Sequence, residues 1–218
     1  MTMNAIMAIV GMGEGIALAV ARRFASEGFA IAMIARSENK LQQFKKTLQA
    51  EGYIAHYFIA DAKNEASLKA AFASIRETLG YPEVLIYNAA VGKMENVLNE
   101  TAESLTNDFK VNVVGALVAV QEVLPDMQQR QRGTILFTGG GFALYPSPDF
   151  ASLSIGKAGI RSLGKMLAEA LKEQGVRVGV ITVAGMVNLT DPKYNPDSIA
   201  DNYWVFHSVP QIETEIMY

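Results

Sequence analysis

Ala5-Ile6-Met7-Ala8-Ile9-Val10-Gly11-Met12-Gly13-Glu14-Gly15-Ile16-Ala17 decides how this chain folds. The apolar run 5–10 falls far short of the ~20 residues that a membrane span needs, and no Lys or Arg precedes it as a secretory leader requires. It has the length of a strand buried on both faces. Glycines follow it at once, and a helical pattern follows the glycines. At such a junction glycine permits the tight turn and lets backbone approach a ligand, while the helix amino terminus favours a pyrophosphate. A Gly-rich turn alone is a weak signal. Its place between the first strand and the first helix of a β-α-β chain gives it weight.

Outward from this stretch, short apolar runs alternate with longer amphipathic segments, which predicts β-α-β units and a parallel sheet. Strands are expected at 5–10, 29–35, 53–60, 84–87, 134–138 and 176–183. The run 29–35 is apolar on both faces, as a central parallel strand should be. Between the strands come a helix at 15–27, one with Leu41, Phe44 and Leu48 along one side, and one with Leu68, Phe72, Ile75 and Leu79. A long helix carries Leu105, Phe109, Val113, Ala116, Val120 and Leu124 with Pro125 near its end, and another spans 150–174. Residues 191–210 hold three of the seven prolines, with Tyr203 and Trp204, and show no periodicity. They predict irregular loop and short helix, with a final strand near 213–218. The expected fold is one α/β domain over 1–218, a Rossmann-like doubly wound parallel sheet with helices on both faces. Its ligand belongs at the carboxyl ends of the strands, and 191–212 forms an irregular substrate-side segment.

Composition narrows the chemistry. Half of the 218 residues are hydrophobic and 19% are charged, which excludes a disordered chain. Nineteen Lys and Arg against 22 Asp and Glu leave a net charge of −3, so neither nucleic acid nor an anionic membrane surface is expected as a partner. Cysteine is absent, which removes disulfides, thiolate metal sites and a cysteine nucleophile and suits a cytoplasmic setting. His56 and His207 are too few for a histidine-built metal site. Chemistry must then come from hydroxyls, carboxylates, lysine or a borrowed cofactor.

In these features the chain resembles the short-chain dehydrogenase/reductase family over nearly its whole length. The family's Gly-x-x-x-Gly-x-Gly turn matches Gly11, Gly15 and Ala17, with Ala in place of the last glycine. Its adenine-contacting Asp after the third strand matches Asp61. Its Asn-Ala-Gly after the fourth strand appears as Asn88-Ala89-Ala90. The Asn of the next helix matches Asn112, the Lys of Tyr-x-x-x-Lys matches Lys157, and Pro-Gly after the sixth strand appears as Ala184-Gly185. The resemblance implies a nicotinamide cofactor touching Gly11, Gly15, Ile16, Arg36, Asp61, Ala62, Asn88, Ala89, Lys157 and Gly185. It also implies an oxidoreductase acting on an alcohol or carbonyl, a small-molecule substrate, and a homodimer or homotetramer paired through 105–124 and 150–171.

The departures bear on activity. Leu153 stands where the family keeps its catalytic Tyr, and Gly140 where its Ser falls. General acid–base catalysis contributes about 10²–10⁴ in rate, and a leucine donates no proton. Thr138 at the end of the fifth strand and Tyr145 in the following loop are the hydroxyls available to take over, beside Asn112 and Lys157. Ser152 and Ser154 flank Leu153 but point about 100° away around a helix. The rival reading is a non-catalytic NADP(H)-binding sensor or scaffold partner. As to the cofactor, the second strand ends Ile34-Ala35-Arg36-Ser37 without the acid that binds a ribose 2′-hydroxyl, and the Arg fork suits a phosphate. Glu14 opposes that choice by charge. NADP is expected ahead of NAD.

Overall fold

The computed structural model describes residues 4–210 and 212–218. Seven strands pair in parallel: β1 (Ile6–Val10), β2 (Ala30–Ala35), β3 (Ala55–Ile59), β4 (Val84–Tyr87), β5 (Gly133–Thr138), β6 (Val176–Thr182) and β7 (Glu215–Met217). Their order across the sheet is β3-β2-β1-β4-β5-β6-β7. The chain winds outward from β1 to β3, returns to lay β4 beside β1, and winds outward the other way. This is the expected doubly wound sheet, with its switch point between β1 and β4, where loops diverge and leave a crevice.

Alternation along each strand feeds two cores. Met7 and Ile9 of β1 face the layer of α1 (Ile16–Ala25) and α2 (Glu38–Ala50), whereas Ala8 and Val10 face the layer of α3 (Glu65–Thr78). The helical periodicities hold: Leu41, Phe44 and Leu48 are buried in one layer, and Leu68, Phe72 and Ile75 in the other. A pinning network ends the sheet. Glu215 of β7 accepts from Arg161 Nε and Nη2 at 2.7 and 2.8 Å and from Thr182 Oγ1 at 2.8 Å, and lies 3.0 Å from Lys165 Nζ. Although burial opposes its charge, these donors hold its carboxyl well below the usual range, at about 2.

Two expectations are corrected. The predicted single helix over 105–124 is α4 (Ala102–Phe109), a π-helical turn at Lys110–Val114, and α5 (Gly115–Arg130). Asn112 sits in the π turn, and its Oδ1 accepts from Val91 N at 2.6 Å, so the extra residue in the turn delivers an amide to the loop after β4. Glycines on α6 (Ala151–Leu171) allow the close crossing: a Cβ on Gly156 would stand 2.5 Å from Asn112 Nδ2.

The segment 191–212 begins in turns, as expected, but its helix is 13 residues long rather than short. It contains α7 (Pro196–Ser208), whose Ile199, Tyr203 and Phe206 are buried in the same core as α1. The helix therefore packs beside α1 rather than over the substrate end of the cleft. Asn195 caps it by accepting from Ser198 N at 2.8 Å, and Pro196 occupies the first turn, where the missing N–H costs nothing. His207 closes the helix, held among Phe24, Phe29 and Trp204, with Nδ1 2.9 Å from Thr134 Oγ1.

Burial lowers the His207 pKa from 6.5; Glu83 opposes the shift, and Arg177 and Arg132 reinforce it. The folded ring is thus neutral where the unfolded one binds a proton. Stability is full above pH 6.5 and falls as the pH drops through it. Urea midpoints measured from neutral pH down to about 5 should decline, and His207→Gln should flatten part of that decline.

Candidate cofactor and active site

Gly11 leaves β1 at φ +90°, and its N–H and that of Met12 both donate to Ile34 O, at 2.9 and 3.1 Å. The turn is pressed against the end of β4. A Cβ on Gly11 would stand 2.3 Å from Ala89 N, so only glycine lets the two loops touch. Asn88 seals that contact: its N–H donates to Val10 O at 2.8 Å and its Nδ2 to Gly11 O at 3.0 Å. At Gly13 and Gly15, by contrast, a Cβ would meet nothing within 4 Å. The backbone entering α1 faces open space above the switch point.

Two cavities run from there along the carboxyl edge of the sheet and share Asn88. The first, about 400 Å³, is bounded by Gly11, Arg36, Asp61, Ala62, Asn88 and Ala89, among others. It also takes in Ser37 and Lys40, which the sequence reading missed. Ser37 caps α2, accepting weakly from Lys40 N at 3.5 Å, so Arg36, a helix amino terminus and Lys40 converge on one end of the cavity. A Ser three residues ahead of a Lys at a helix start was the available signal. Glu14 is exposed and does not line this cavity.

The second cavity, about 700 Å³, has Ile16, Asn88, Thr138, Tyr145, Lys157 and Gly185 on its walls. Phe142, Phe150, Leu153, Met186 and Val187 make it predominantly apolar. Leu153 and Lys157 lie one turn apart on α6 and both reach it. Lys157 Nζ donates to Thr138 O at 2.8 Å, and burial lowers its pKa from 10.5 to about 8. Gly140 lies beside its stem: a Cβ there would be 3.4 to 3.6 Å from Lys157 Cε, Cδ and Cγ. Gly185 has a packing reason of its own, since a Cβ would stand 2.4 Å from the Tyr194 ring.

The alternative hydroxyls fare unevenly. Thr138 Oγ1 donates to Asn88 Oδ1 at 2.9 Å and lies 2.7 Å from Tyr203 OH, which is left as the donor to it. Burial pushes the Tyr203 pKa up, against the hydrogen bond with Thr138. The Thr138 hydroxyl is therefore engaged in a chain that runs from α7 through Asn88 to Gly11. Tyr145 lies on the cavity wall but is 78% exposed, and its hydroxyl has no hydrogen-bond partner among the described residues. Ser154 Oγ accepts from Ser147 N at 3.1 Å, and Ser152 is buried; neither lines the cavity. Asn112, 4% exposed, stands behind the site and holds Val91, as Gly15 stands beside the cleft without lining it.

The sheet order, the glycine turn at its switch point and the cleft above it define a Rossmann-class α/β protein. Residues 5–197 match the short chain dehydrogenase family, and the chain belongs to it. It is 31% identical over 188 residues to 2-(S)-hydroxypropyl-CoM dehydrogenase 3 of Xanthobacter autotrophicus, covering 84% of this chain and 74% of that one. Against other curated relatives the chain spans between 54% and 67% of their length. Among solved structures, a metagenomic short-chain oxidoreductase in complex with NADP superposes with a TM-score of 0.89 at 23% identity, covering 98% and 96% of the two chains. A short chain oxidoreductase of Pseudomonas aeruginosa PAO1, described as containing an atypical catalytic center, superposes with a TM-score of 0.88 at 20% identity, covering 98% and 94%. Among the described residues no helix is long and apolar enough to cross a membrane.

Proposed function

We propose that the chain binds NADP(H) along the two cavities and is an oxidoreductase whose centre has lost the family's usual proton donor. The observation that carries this reading is the meeting of the cavities at Asn88, with Arg36 and Lys40 at one end and Lys157 at the other. The residues fit the group: Gly13 and Gly15 leave room where a phosphate must approach backbone, and the cavity volumes lie in the range of ligand sites. When bound, a nicotinamide supplies or accepts a hydride. Arg36 and Lys40 would hold the 2′-phosphate and Asp61 the adenine. Lys157 would hold the ribose, with its ammonium fixed by the Thr138 carbonyl.

Saturable enhancement of NADPH fluorescence tests the cofactor, and its absence up to millimolar NADPH would reject it. Arg36→Ala should weaken NADPH about tenfold or more, the scale of a charge-assisted hydrogen bond, and leave NADH unchanged. Equal loss for both cofactors would remove the phosphate role. A second reading, a non-catalytic NADP(H) sensor or scaffold partner, is favoured by Leu153 and Gly140 together. NADPH binding without turnover of any acceptor would select it.

The proposal extends to assembly. Phe109, Val114 and Leu117 on α4 to α5, with Ile155 and Met166 on α6, are exposed apolar side chains on the two expected pairing helices. A dimer or tetramer through them buries that surface. Leu117→Glu should reduce the mass seen by light scattering to about that of one 23.6 kDa chain. A single-chain mass for the unaltered protein would refute the oligomer.

A further inference from the structure

We propose that the apolar end of the cleft selects planar aromatic iminium cations, in which a C=N⁺ carbon accepts a hydride and no proton is needed, in preference to aldehydes and ketones. This rests on the cofactor reading above and names the substrate class of the same site.

The argument starts from the groups able to give a proton at the 700 Å³ cavity. Reducing a carbonyl turns its oxygen into an alkoxide unless a positioned acid protonates it. Leu153 has no proton to give. The Thr138 proton is committed to Asn88 Oδ1, and the Ser154 hydroxyl sits against Ser147. Lys157 Nζ gives one of its three N–H groups to the Thr138 carbonyl, and in the cofactor reading above the others are taken by the ribose. Tyr145 OH remains, on a side chain that is mostly in solvent.

An iminium carbon requires none of these. With a reduced nicotinamide as the co-reactant, the hydride and its electron pair form the new C–H bond. The C=N π pair becomes the nitrogen lone pair, and the positive charge passes from the acceptor to the oxidised nicotinamide. Atoms, electrons and charge balance with no proton taken up.

The walls agree with such a ligand. Phe142 and Phe150 stack at 5.2 Å with 22° between their planes, and Tyr145 stands beside them on the wall of the same cavity. Aromatic faces attract cations and pack planar rings. Among the described residues no carboxylate lines this cavity, so a cation there depends on the rings rather than on an ion pair. Lys157 is, among the described residues, the one like charge on the wall, and its bond to the Thr138 carbonyl fixes it at the end of β5. Met186 and Tyr145 on the cavity wall are exposed, which gives a fused ring system apolar surface on entry.

The test uses N-methyldihydroisoquinolinium and tetralone, two bicyclic molecules of similar shape that differ in charge. Calorimetry on the protein with oxidised NADP should show the iminium binding about tenfold tighter than the ketone. Phe142→Leu with Tyr145→Leu should abolish that difference by weakening the iminium far more than the ketone. With NADPH, the iminium should be reduced well above its uncatalysed rate and the ketone not at all. Equal affinities, or a ketone turned over as fast as the iminium, would overturn the proposal. Absence of NADPH binding with cation selectivity retained in calorimetry would reject the cofactor reading and keep the cation selection.

Discussion

Gly140→Ser combined with Leu153→Tyr is expected to give carbonyl reductase turnover about 10²-fold or more above the unaltered protein, the scale of one positioned general acid. The geometry admits both side chains. Gly140 has φ −175°, extended backbone that any residue adopts, and a Cβ there meets only the flexible Lys157 stem. Leu153 already lines the cavity one turn before Lys157, so a phenol at that position projects into open volume beside the ammonium. The added ring tightens packing near Gly92, where a Cβ would stand 3.7 Å from Leu153 Cδ2. NADPH affinity and melting temperature are therefore the controls. Leu153→Phe with Gly140→Ser adds the ring without the hydroxyl and should stay at background. If the Tyr variant keeps its affinity and melting temperature yet turns over no carbonyl in a broad panel, the cleft is not arranged for carbonyl reduction.

Gly11→Ala should be among the most damaging single methyls in the chain. At φ +90° an L side chain is strained by about 1–3 kcal/mol. The new Cβ would also fall 2.3 Å from Ala89 N and 2.8 Å from Asn88 C, which are backbone atoms with little freedom to retreat. The end of β4 must move, breaking the bonds from Asn88 to Val10 and Gly11. A loss of at least about 3 kcal/mol is expected, or roughly 6–12 °C in melting temperature, with NADPH binding abolished.

Gly15→Ala is the counterpart. Its Cβ meets nothing within 4 Å, so the melting temperature should hold while NADPH affinity falls about tenfold. Thermal denaturation beside NADPH titration separates the two. An unchanged melting temperature for Gly11→Ala would mean that the loop contact is not a constraint.

Local pattern made most of this fold legible. The run 5–10 followed by glycines, the β-branched and apolar strands, and the periodicities of Leu41, Phe44 and Leu48 or Leu68, Phe72 and Ile75 are properties of neighbours along the chain. They name strands, helices and the ligand-bearing edge without reference to anything distant. Of the positions bordering the cleft, Gly11 and Arg36 were legible for the same reason, at the ends of strands, whereas Asp61, Asn88 and Lys157 were legible through the family resemblance.

What the chain left undetermined is decided by contacts between distant segments. Pro192, Pro196 and Pro210 made 191–210 look broken, yet Pro196 sits in the first turn of α7, and burial of Ile199, Tyr203 and Phe206 against the α1 layer stabilises the helix. Apolar spacing carries straight through 105–124. The interruption there comes from Asn112 reaching Val91 and from glycines on α6 that admit it.

The same holds for the chemistry. Thr138 was correctly placed at the end of β5, but the sheet turns its hydroxyl to Asn88 and to Tyr203, 65 residues away. Lys157 owes its lowered pKa to burial that no local pattern encodes. Sequence by itself determined which residues stand at the edge of the sheet. Tertiary packing decided which way their polar atoms point, because a buried donor or acceptor must find its partner wherever the fold supplies one.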